Sequence, residues 1–274
     1  MRSLFLCGLL VLISAPAVLA QSTTDSLSKR ALRQLTRQDR LDQTDSYFVI
    51  EALGTFHHAQ DQALSQQIYR GWGGGVGFGS VRWRDVHYHE FQARGGYNYL
   101  RSAAYTRTHD FWGNFSYRYL RQLRPGPPWR LWIGGQVDFM SRVRYTPALG
   151  NSNLHWEIVG SLGAAARVQR SIRLPLIRPE GQFYGHVHLP LLAYVNRPAA
   201  PISISGETRE RVSPIGRLRK VDMEFGVFFP VRRGITNFYR LSYRWDLFRW
   251  RDNDYQRVIT GQHLLSFGLL VNMI

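Results

Sequence analysis

From Val221 to Phe229 the side chains alternate. Val221, Met223, Phe225, Val227 and Phe229 fall on one side, and Asp222, Glu224 and Gly226 on the other, with Phe228 the single lapse. In an extended chain successive side chains point to opposite faces, so this stretch has one apolar face and one face carrying two carboxylates. A helix would scatter both sets around its circumference. The same period returns, with one lapse at Asn237, in Ile235, Tyr239, Leu241, Tyr243, Trp245 and Leu247 against Thr236, Arg240, Ser242, Arg244 and Asp246. It returns once more in Leu265, Phe267, Leu269, Val271 and Met273 against Gln262, Ser266, Gly268 and Asn272. Apolar spacing of the helical kind is almost absent after residue 45.

Read backwards, the alternation predicts further strands at 182–195, 154–170, 130–145, 110–120, 90–100, 71–83 and 47–56, about ten strands in all. Most run to ten residues or more, enough to cross a bilayer at a tilt. No run after the first twenty residues reaches the ~18 apolar residues a membrane helix requires. With 14% aromatic residues the chain is too apolar for disorder, and its 25 Gly and 12 Pro follow no collagen-like repeat.

The N-terminus reads as an export signal at residues 1–20: Arg2, an apolar stretch from Leu4 to Ile13, and small residues at Ala15, Val18 and Ala20, with cleavage expected after Ala20. The one cysteine, Cys7, leaves with it, which excludes disulfides and thiolate chemistry in the mature chain. Residues 21–45 form a polar periplasmic segment. Leu27, Ala31 and Leu35 share one stripe, so Ser26 to Arg40 is read either as a mobile tail or as a short helix that caps or plugs the strand assembly.

On these residues the chain, over 46–274, resembles a Gram-negative outer-membrane β-barrel. Tyr97, Tyr99, Phe111, Tyr117, Tyr119, Tyr239, Tyr243 and Trp245 fall on the outward parity, several near strand ends, as the aromatic girdles of such barrels do. Barrels of this class commonly finish on an aromatic residue; this chain ends Asn272-Met273-Ile274. The resemblance implies an all-β fold, a transmembrane antiparallel up-and-down barrel integral to the bacterial outer membrane. An even strand count puts both ends of the chain on the periplasmic side. The connections at 84–85, 124–128 and 232–234 then read as periplasmic turns, with 171–181 long for that side. The segments 57–70, 146–153, 197–216 and 249–257 read as outer loops.

The net charge of +16 falls to +15 without Arg2 and to +14 without the five basic and four acidic residues of the tail. Nucleic-acid binders gather such charge into one patch or motif; here arginine is spread through the wall, loops and turns, and nucleic acid is excluded as a partner. Arg101, Arg107, Arg197, Arg217, Arg219, Lys220, Arg249, Arg251 and Arg257 lie near the expected outer rim, where they would clamp phosphates of the outer leaflet, lipopolysaccharide included.

The inward parity collects Glu51, Glu90, Arg94, Arg118, Asp138, Arg142, Glu157, Arg167, Asp222, Glu224, Arg240, Arg244 and Asp246. Buried charges persist when paired, so these are read as a lumen charge network, with Asp222 and Glu224 facing Arg240 and Arg244 across adjacent strands. Gly71, Gly73, Gly75, Gly77 and Gly79 empty one face of a whole strand. Either the wall bends sharply there or bulky groups pack on bare backbone; the favoured occupants are long Arg and Tyr side chains from across the lumen, the alternatives a bound ligand or the N-terminal helix.

His87 with His89, and His186 with His188, have the i, i+2 spacing of a metal pair on a strand, without a carboxylate or serine at motif spacing. No catalytic residue, metal or cofactor is assigned. The expected role is structural or assembly, in a complex with protein partners or lipopolysaccharide held through loops and rim; the alternative is an outer-membrane lipid or peptide hydrolase, or a narrow ligand channel.

Overall fold

The computed structural model describes residues 46–61, 65–84, 86–124, 128–152, 154–173, 180–198, 208–214, 218–231, 237–251 and 257–273. The expected signal and the segment 21–45 lie outside the described residues.

Eleven strands follow in chain order: β1 Ser46–Asp61, β2 Ser65–Arg84, β3 His87–Ser102, β4 Arg107–Arg124, β5 Trp129–Tyr145, β6 Leu154–Arg173, β7 Glu180–Pro198, β8 Thr208–Pro214, β9 Leu218–Pro230, β10 Phe238–Arg251 and β11 Arg257–Asn272. Every pairing is antiparallel and, apart from β7 with β9 and the closure, joins chain neighbours; β1 closes on β11 from Tyr47↔Asn272 to Asp61↔Val258. β8 and β9 both pair with β7, at residues 192–198 and 182–188 respectively, and so form one stave interrupted at 215–217. The result is a closed ten-stave up-and-down barrel in which β1 begins and β11 ends at one rim, with β8 paired to β7 alone among the described strands.

The strands are longer than the alternation predicted. At ~3.3 Å per residue and a tilt near 40°, sixteen residues rise roughly 40 Å, more than a bilayer's hydrocarbon core. Much of the expected outer loop 57–70 is strand: His57 to Asp61 pair with β11 and β2. The expected loop 197–216 holds β8, and Arg249 to Arg251 and Arg257 belong to the β10–β11 ladder. These ends turn polar residues into the lumen, so the apolar contrast that marks a strand fades while the backbone ladder continues. The connections at the terminus rim, 85–86, 125–128, 174–179 and 231–237, now overlap in length with 62–64, 103–106, 146–153, 199–207 and 252–256 at the opposite rim. The loop-length asymmetry read from sequence largely disappears.

The glycine strand is explained by the bend. A Cβ at Gly71, Gly73, Gly75 or Gly79 would run into the backbone carbonyl of Tyr99, Tyr97, Gly95 or Phe91 on β3. At Gly73 the Asn98 side chain of β3 stands there as well, and at Gly77 side chains fill the space without backbone, those of Glu51 and Arg94. The expected packing by long side chains from across the lumen is therefore corrected at four of the five positions: β3's own backbone closes in where the wall curves.

Candidate functional site

Inward side chains are polar and buried, and they gather into three clusters stacked from the terminus rim. In the first, Arg94 Nε donates to Glu51 Oε1 at 2.7 Å, and Arg240 donates to Glu51 at 2.8 Å and to Glu90 at 2.9 Å. Arg118 stands 3.1 Å from Glu90 and 3.9 Å from Glu224, and Arg94 Nη1 lies 3.6 Å from Glu224. Glu224 also accepts from the Tyr184 hydroxyl at 2.7 Å. Arg167 reaches Glu90 only at 4.0 Å, and its guanidinium lies over the rings of Tyr184 and Tyr88 at 4.1 and 4.7 Å.

In the second cluster Arg244 grips Asp222 with two bonds, 2.8 and 2.6 Å, and reaches Asp138 at 3.8 Å and Asp246 at 3.9 Å. Lys220 pairs with Asp138, which also accepts from Asn114 at 3.0 Å. Asp222 and Asp246 stand directly opposite each other on β9 and β10. Like charges so placed repel, and Arg244 within reach of both is what makes the register tenable.

In the third, Asp110 lies 3.5 Å from Arg142 and 3.4 Å from Arg144, and Arg144 lies 3.6 Å from Glu157 and 4.0 Å from Asp61. Asp61 is 2.7 Å from Arg197 and 3.1 Å from His155. Each cluster thus holds three carboxylates, against four, two and three cations in turn, so the three clusters together balance at nine of each. Pairing of opposite charges is what allows them to persist away from water.

Apolar clusters close both ends of this column. Tyr47, Tyr88, Trp132, Tyr184, Phe228 and Leu270 pack together near the terminus rim, with Trp83 and Phe238 against them; Met140, Val159, Phe248, Trp250 and Val258 pack toward the other. A cavity of about 60 Å³ remains among Tyr47, Trp83, Trp132, Phe228 and Phe238. Among Arg94, Asn114, Arg142, Arg244 and Asp246 the gap is about 10 Å³, room for no more than one water.

The expected site residues Glu51, Glu90, Arg94, Asp138, Arg142, Asp222, Glu224, Arg240 and Arg244 all lie in this column. Their partners differ in part from the expected ones. Asp222 meets Arg244, whereas Glu224 is served by Arg94, Arg118 and Tyr184, and Arg240 turns to β1 and β3. The expected rim divides. Arg101 and Arg107 are exposed and paired in register. Arg219 stands opposite a half-buried Arg249, and Arg251 opposite Arg257. Arg217 lies outside the described residues. Lys220 and Arg197 are corrections: both are buried and held inward by Asp138 and Asp61.

His186 and His188 are buried in the lumen. His186 bonds Gln136 at 2.9 Å, and His188 has no hydrogen-bond partner among the described residues. His87 and His89 face outward and bond Tyr119 and Tyr117 at 2.8 and 2.9 Å. His109 with Tyr97 and His263 with Tyr243 make the same outward pair, at 2.7 and 2.6 Å. Among the described residues no three metal-binding side chains gather at one point.

The outer wall is the reverse of the inner one. Trp72, Val76, Phe78, Phe111, Leu162 and Leu265 are each more than half exposed, and polar side chains keep to the strand ends and the interior. A closed barrel, polar within and apolar without, is stable only in a membrane. This is an integral β-barrel of the bacterial outer membrane. No family model matches the sequence, and no curated protein does. Among solved structures, the outer-membrane barrel is similar to the protease OmpT from Escherichia coli, at 8% identity over 84% of this chain and 96% of that one, TM-score 0.49. The transport unit of the autotransporter AIDA-I from Escherichia coli gives 10% identity over 91% and 93%, TM-score 0.42. Neisserial surface protein A gives 12% over 82% and 97%, TM-score 0.36. None of these likenesses transfers an activity to this barrel.

Proposed function

We propose that this barrel is a structural or assembly component of the outer membrane, which holds protein partners or lipopolysaccharide through its loops and rim. The observation that carries this reading is the occluded lumen: paired charges fill it from wall to wall and apolar clusters cap it, so the interior serves rigidity instead of passage. The rim supplies contact groups. Arg101 and Arg107 flank a tight turn whose tip residue, Tyr105, is 86% exposed and sits at positive φ (61°), a conformation that costs energy for a non-glycine residue.

Affinity purification from detergent-solubilised outer membranes tests the proposal. Stable co-purifying outer-membrane proteins or lipopolysaccharide, lost when Arg101, Tyr105 and Arg107 are replaced together, are expected. Purification of a bare barrel that turns over lipid or peptide substrates, with turnover lost in His188→Ala, would replace this reading with that of a hydrolase.

A further inference from the structure

We propose that the outer wall at the terminus rim binds the headgroup of an anionic glycerophospholipid through Arg82, supported by His89, Tyr117 and Ser46. Four strands bring these residues into line. Ser46 pairs with Arg82, Arg82 with His89, and His89 with Tyr119, so one outward row across β1 to β4 is entirely polar. One pleat further from the rim the outward row is Phe48, Ser80, Phe91 and Tyr117, and beyond it come Ile50, Phe78 and Phe115. Headgroup chemistry thus gives way to acyl-chain chemistry within one pleat, as at a membrane interface.

A recess of about 320 Å³ opens on this boundary, lined by Ser46, Ser80, Arg82, His89, Phe91 and Tyr117 among others. Its cation is oriented and has no counter-ion among the described residues. Arg82 Nε donates to Ser46 Oγ at 3.1 Å, and no carboxylate among the described residues pairs with it. His89 is held by the Tyr117 hydroxyl at 2.9 Å and packs against the Tyr119 ring at 4.9 Å. A fixed guanidinium with its fork free, beside a hydroxyl and an imidazole and above an apolar wall, fits a phosphodiester whose chains run down that wall.

Native mass spectrometry of the full protein in micelles tests this, with dimyristoylphosphatidylglycerol and dimyristoylphosphatidylcholine as probes. Wild type is expected to retain one phosphatidylglycerol about tenfold more tightly than phosphatidylcholine, a ratio worth ~1.4 kcal/mol. Arg82→Gln should bring the ratio to about one, and His89→Ala should lower it. Arg170→Gln removes another exposed arginine, one held over Trp129, and should leave the ratio unchanged. Equal retention of the two lipids by wild type, or equal losses in Arg82→Gln and Arg170→Gln, would overturn the proposal. So would displacement of the lipid by glycerol phosphate at equal concentration, which would mark a free phosphoester site instead of a lipid one.

Discussion

Arg240 donates to Glu51 at 2.8 Å and to Glu90 at 2.9 Å, residues 189 and 150 positions away in the chain. One guanidinium on β10 thereby ties β1 and β3 together across the lumen, beneath the glycine strand between them. Arg240→Ala would leave two buried carboxylates short of a cation, an expected loss of roughly 3–5 kcal/mol. Urea unfolding of the purified barrel in detergent, followed by tryptophan fluorescence, measures it; a midpoint equal to wild type would contradict the assigned pairing.

Glu224 and Phe225 are neighbours on β9 that face opposite solvents. Glu224→Ala should destabilise the barrel by a few kcal/mol, because Arg94 and Arg118 lose a countercharge and the Tyr184 hydroxyl loses its acceptor. Phe225→Ala, on the outer wall, should cost less, since lipid or detergent fills the space left behind. The same unfolding assay ranks the two, and the reverse order would mean that the strand faces the other way.

Gly75→Ala should impair assembly strongly, by more than about 3 kcal/mol, because the added methyl meets the Gly95 backbone, which has nowhere to retreat. Gly160→Ala, where a Cβ would have nothing within 4 Å, should be neutral. The yield of folded, heat-modifiable barrel in outer-membrane fractions distinguishes them. Equal yields would show that the bend does not depend on bare backbone.

The orientation inferred from an even strand count is tested by labelling. Ser205→Cys should react with an impermeant maleimide in intact cells, and Gly126→Cys only after the outer membrane is permeabilised. The reverse pattern would invert the barrel.

The period of two carried the architecture and the parity of the lumen residues, because a polar interior and an apolar exterior impose opposite preferences on alternate positions. It failed where that contrast failed. Lys220 shares the parity of Asp222 and Glu224, and Asp61 that of Glu51, but both lie past the point where apolar neighbours thin out, so the alternation ends before the strands do. Arg240 illustrates a second limit. Its inward direction follows from alternation, yet its partners depend on which strands meet across the lumen, and a single sequence does not encode that in any local pattern. The outward His–Tyr pairs were hidden for the same reason: each needs the register of two strands.

Planar-bilayer recording on the reconstituted full-length protein, with insertion verified by heat-modifiable mobility, tests the occluded lumen most directly. With charges paired from wall to wall and apolar clusters at both ends, wild type should show no stepwise conductance above the bare membrane. Steady, long-lived conductance steps from wild-type protein would mean that the lumen is open, and would contradict a structural role founded on its closure.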